Sequence, residues 1–116
     1  MRTIRNLVLV SALLVAGCGG SGKYIQRGMD AYKYGDYPLA MQTFVFVETD
    51  GGKRNPKGEL RYLVYRGLTA AKLGKKTEAV KFLTEGKAAL AAGDANWLSQ
   101  DIEDEMTRTL GELAAK

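Results

Sequence analysis

The chain has 116 residues, 46% of them apolar, which gives room for one small domain and enough nonpolar surface for a packed core. It has no histidine and a single cysteine, which excludes Ser–His or Cys–His catalysis, an internal disulfide and a zinc site of the usual kind. The net charge is +4; with no nucleic-acid-binding motif and no pair of acids placed for acid–base work, we expect neither an enzyme, a metal, a cofactor nor a nucleic-acid partner.

Residues 1–17 begin with Arg2 and Arg5 and continue into the uncharged run LVLVSALLVAG. A positive start followed by a short apolar run is the pattern of an export signal. The run is about half the roughly 20 residues that a membrane-spanning helix needs. It ends in Leu14, Val15, Ala16, Gly17 and Cys18, which resembles the lipobox of bacterial lipoproteins. The resemblance implies that Cys18 carries the lipid and that residues 1–17 are removed. Gly19 follows the cysteine where an aspartate would favour the inner membrane, so the resemblance implies an outer-membrane lipoprotein facing the periplasm. Residues 18–22 are then the lipidated cysteine and a Gly/Ser tether, reaching about 10–12 Å.

Residues 23–116 are the folded part, and they repeat. QRGMDAYKYGDYPLAMQTF (26–44) aligns with YRGLTAAKLGKKTEAVKFL (65–83) at a spacing of 39. Arg27 meets Arg66, Gly28 meets Gly67, Ala31 meets Ala70, Gly35 meets Gly74 and Ala40 meets Ala79. A period of this size predicts stacked helical hairpins. In the first copy (23–49), Tyr24, Gly28, Ala31 and Tyr32 form one helical stripe. Gly35 ends that helix, Asp36 caps the next, and Pro38 suits its first turn. Ala40, Phe44 and Val47 form the second stripe. TFVFVET (43–49) alone reads as a strand, but the repeat and the stripe favour helix. In the second copy (59–91), Leu60, Val64, Gly67 and Ala71 form the first stripe, Gly74 breaks it, and Thr77 is the expected cap of the next helix.

Gly28, Ala31, Gly35-Asp36-Tyr37, Ala40 and Phe44 resemble the tetratricopeptide repeat; Gly67, Ala70, Gly74, Ala79 and Leu83 match it more loosely. The resemblance implies an all-α fold, a right-handed α-solenoid of two hairpins. The spacing exceeds that family's 34 residues by five, and the excess falls in the basic segment DGGKRNPKGE (50–59). Leu98, Ile102, Met106, Leu110 and Leu113 predict a capping helix over about 95–114, behind Asp94 or Asn96 as its cap. Trp97 is expected to pack against the second hairpin. Residues 94–116 hold six acidic and two basic side chains, an acidic cap over a basic body.

The same resemblance implies partner binding on the concave face formed by the first helix of each hairpin. That face would show Ile25, Met29, Tyr32 and Lys33 from the first copy. From the second it would show Arg61, Val64, Leu68 and Lys72. The expected role is a protein–protein interaction or scaffold module in the bacterial cell envelope, held at the membrane by its lipid. The alternative is an envelope or cell-wall glycan-binding lipoprotein, with Tyr32, Tyr34, Tyr37, Tyr62 and Tyr65 stacking on sugars.

Overall fold

The computed structural model describes residues 22–50 and 54–115; Cys18, the residues before it and most of the tether lie outside the described residues. The described residues form five α-helices and no strand. They are α1 (22–33), α2 (Tyr37–Asp50), α3 (Pro56–Lys72), α4 (Lys76–Ala92) and α5 (Gln100–Ala115). A single 3₁₀ turn, Ala95–Trp97, precedes α5.

Helices α1 and α3 end in the same way. Gly35 and Gly74 take φ of +84° and +76°, which only glycine adopts without strain. The Gly35 N–H donates to the Tyr32 carbonyl at 3.0 Å, and the Asp36 N–H to the Ala31 carbonyl at 2.9 Å. At positions 39 further on, Gly74 donates to Ala71 at 3.1 Å and Lys75 to Ala70 at 2.8 Å. This paired pattern closes the last turn and satisfies its orphan carbonyls. Each hairpin therefore turns on one glycine, with two bonds fixing the turn.

Helix packing repeats too. A Cβ built on Gly28 would lie 2.6 Å from the Phe44 ring. One built on Gly67 would lie 2.7 Å from the Leu83 side chain. The missing side chain is what lets α2 close on α1 and α4 close on α3. The strand-like TFVFVET lies wholly within α2. Its Phe44 and Val47 are buried in the core, whereas Val45 and Phe46 face outward. Burial of one helical face outweighs the weak β preference of the segment.

Two expected caps differ. Asp36 does cap α2, its Oδ1 accepting from the Leu39 N–H at 3.2 Å. Thr77 does not cap α4: that helix starts one residue earlier, at Lys76, and no side chain bonds its first turn from Lys75. Its partner position in the first copy is Pro38, so the glycine turn starts the helix without a side-chain cap. Asp94 caps the 3₁₀ turn through the Asn96 N–H at 2.9 Å, not the capping helix, which starts at Gln100. The basic segment is shorter than a loop over 50–59. Helix α2 runs to Asp50, and α3 starts at Pro56 behind Asn55, whose side chain accepts from the Gly58 N–H at 2.7 Å.

Substituting Gly28 by Ala should cost about 1–3 kcal/mol, because the new methyl displaces the Phe44 ring from a filled core. Gly111→Ala is the matched control. Nothing lies within 4 Å of a Cβ there, so it should gain about 0.5–1 kcal/mol from helix propensity. Urea unfolding midpoints of the two variants check both signs.

Candidate interaction surface

Helix α5 closes one side of the second hairpin. It lies against α3 and α4 and buries Ile102 and Met106 in the common core. Its Glu105 reaches both first helices: the Tyr32 hydroxyl of α1 donates to Glu105, and Lys72 Nζ of α3 lies 3.9 Å from the same carboxylate. Just before α5, the Trp97 carbonyl accepts from Arg61 Nε at 2.9 Å, and the Trp97 ring sits against Gly93.

The expected groove residues are thereby divided. Ile25, Met29, Tyr32, Val64 and Leu68 are buried in the core. Arg61 is half-buried under the Trp97 carbonyl, and Lys33 and Lys72 are exposed at the edge. The face that was expected to be open to a partner is instead packed within the chain: Ile25 lies against Gly58 of α3, Val64 against Gly86 of α4, and Tyr32 is bonded to Glu105 of α5. What stays open there is a small pocket of about 240 Å³, between Ile25, Met29, Asn55 and Arg61. The tyrosines divide likewise. Tyr32, Tyr62 and Tyr65 are buried, with the Tyr32 and Tyr65 rings edge to face at 5.6 Å. Only Tyr34 stands clear, 89% exposed.

Between the hairpins the joint is polar. Arg66 on α3 is 6% exposed and donates from Nε to Glu48 of α2 at 2.7 Å. Its Nη1 lies 2.9 Å from Glu78 of α4, and its guanidinium covers the Phe82 ring at 4.4 Å. Burial works against the Arg66 charge, but the two carboxylates outweigh it and hold its pKa above the ordinary value. The Tyr62 hydroxyl donates to the same Glu48 oxygen at 2.5 Å. One carboxylate of α2 thus carries both polar contacts to α3.

The first hairpin has an open groove on its other side. It runs between α1 and α2 with a volume of about 720 Å³, within the range of ligand and peptide clefts. Tyr24, Ala31, Leu39 and Phe46 supply its apolar surface, and Arg27 and Asp30 its charge. Leu39 and Phe46 are 47% and 46% exposed, and Tyr34 stands at the same rim. Exposed large apolar side chains gathered in one concavity mark an interaction site more often than scattered ones do. The repeat-derived groove drew attention to the first helices alone. The signal for this second groove was present in Leu39 and Phe46, apolar residues on the face of α2 away from the core stripe.

Among the described residues no three acidic or thiol groups gather to hold a metal ion, and no helix is long and apolar enough to cross a membrane.

The buried tyrosines make stability depend on pH. Desolvation and neighbouring carboxylates push the Tyr65 phenol up to about 12, and desolvation with the Glu105 and Glu48 hydrogen bonds pushes Tyr32 and Tyr62 higher still. A raised folded-state value means that the folded chain holds protons the unfolded chain releases above pH 10.0. Stability should therefore be level up to about pH 10 and fall steeply above it. Urea midpoints between pH 8 and pH 11.5 check this, and Tyr65→Phe should flatten part of the fall. Comparison with known protein families, curated proteins and solved structures finds no match to this chain.

Proposed function

We propose that this chain is a lipoprotein of the bacterial cell envelope. Its two hairpins form a tetratricopeptide-like α-solenoid capped by α5, and it serves as a protein-interaction or scaffold module. The observation that carries this reading is that the two hairpins are built alike. The glycine turns at Gly35 and Gly74 share one hydrogen-bond pattern. The close contacts Gly28–Phe44 and Gly67–Leu83 recur at the same 39-residue spacing. Stacked hairpins that share a repeating contact serve mainly to present surface, and the apolar groove between α1 and α2 is a surface of that kind. The lipid anchor rests on the sequence Leu14–Cys18, and the outer membrane on Gly19.

The glycan-binding alternative needs tyrosine rings together on an open face. Tyr32, Tyr62 and Tyr65 are instead packed between helices, so nothing in the geometry favours it.

The anchor has a direct test. Expressed in a bacterium, the wild-type chain should fractionate with the outer membrane. Its N-terminal peptide should start at Cys18 and carry the added mass of acyl chains. Cys18→Ala should release the folded domain into the soluble fraction. A Cys18→Ala protein still bound to the membrane would contradict the lipoprotein reading.

A further inference from the structure

The 39-residue repeat supplies a template for what the open groove receives. Shifted by one repeat, Tyr24, Arg27, Ala31 and Leu39 become Leu63, Arg66, Ala70 and Glu78. In the second hairpin that face is covered. Leu63, Arg66 and Ala70 are buried, and α2 lies across α3, with Glu48 bonded to Arg66 and Phe44 against the Tyr62 ring at 6.1 Å. The groove on the first hairpin is the same face without its helix.

We propose that this groove docks an amphipathic helix of a partner protein, one that presents an acidic side chain to Arg27 as α2 presents Glu48 to Arg66. The inference rests on the interaction-module reading and names the site and the chemistry of its partner.

Two differences between the copies fix that chemistry. Arg66 has a carboxylate on its own hairpin, Glu78; the corresponding residue beside Arg27 is Leu39. Among the described residues no carboxylate lies within ion-pair distance of Arg27, which stacks on the Tyr24 ring at 5.2 Å. The incoming helix must therefore bring the acid. At the outer wall, Glu78 and Glu85 are replaced by Leu39 and Phe46, so the helix also meets more apolar surface than α2 does. An apolar face bearing one acid satisfies both demands.

A second copy of this chain does not fit. The helix corresponding to α2 in the second hairpin is α4, and it carries Lys87 where α2 carries Glu48. Docked in register, that lysine would face Arg27. The corresponding end of the second hairpin is also taken by α5. Both features work against head-to-tail chains of this protein and leave the groove to another partner.

The chain's own α2 is a ready probe. A fluorescent peptide of residues 37–50 should bind the full chain saturably, measured by anisotropy. Arg27→Glu should weaken it at least about tenfold. The same peptide carrying Glu48→Lys should reverse the order, binding the Arg27→Glu protein better than wild type. Leu39→Glu should weaken both peptides. Arg27 and Leu39 are exposed, and an unchanged urea midpoint shows that each variant is folded. Peptide that merely displaced α2 from the second hairpin would not respond to Arg27. Absence of saturable binding overturns the proposal, including the case in which the chain's own residues 1–21 fill the groove. So does binding that ignores Arg27, or a Glu48→Lys peptide that gains nothing from Arg27→Glu. None of these results touches the Cys18 anchor. A partner found at another surface would keep the interaction module and remove only this site.

Discussion

The stacking of this fold turns on one guanidinium. Arg66 ties α2 to α3 through Glu48 and α4 through Glu78, and lies flat on Phe82 while nearly out of water. A charge so placed is tolerated only because its partners surround it, and removing both carboxylates would leave it buried and unpaired. Apolar packing alone would let one hairpin slide or rotate on the other. A planar donor held at fixed positions by two acids selects one arrangement. The glycine contacts inside each hairpin set how close the helices come, and Arg66 sets how one hairpin meets the next.

The rest of the molecule can be read as that joint used once and left unused once. Arg66 is engaged, whereas Arg27, its counterpart, faces solvent beside Leu39 and Phe46. At the other end, α5 closes the stack with Ile102 and Met106 and reaches across to Tyr32 and Lys72 through Glu105. The two ends are thus unlike. The C-terminal end is sealed by an acidic helix, and the N-terminal end keeps an apolar face where Arg27 stacks on Tyr24. If Cys18 anchors the chain, the open end is also the end nearest the membrane, since α1 follows the tether directly.

Much of the architecture was legible in the sequence because it depends on residues that tolerate no substitute. Only glycine fits at 35 and 74 with positive φ, and only glycine fits under Phe44 and Leu83; those four positions reveal both hairpins. The fate of the concave face was not legible. Ile25, Met29, Val64 and Leu68 are apolar residues on first helices, and that pattern is the same whether a partner or the chain's own neighbouring helices cover them. The stripe of α5 showed that it would be buried, but not that Glu105 would cross to Tyr32. The open groove was missed for a related reason. Leu39 and Phe46 fall off the core stripe, and the β-branched and aromatic run around Phe46 looked like a strand conflict instead of a second apolar face. Thr77 failed as a cap because α4 starts at Lys76, so Thr77 already lies inside its first turn.

On the proposed reading the face between α1 and α2, and not the face of the first helices α1 and α3, meets the partner. Photo-crosslinking from single positions in the full chain, in the cells that make it, tests this most directly. A photoreactive residue in place of Leu39 should yield an adduct whose linked peptide is a helix bearing an acidic side chain. The same probe in place of Lys33, on the concave edge, should yield none. Adducts from position 33 with none from position 39 would contradict the account.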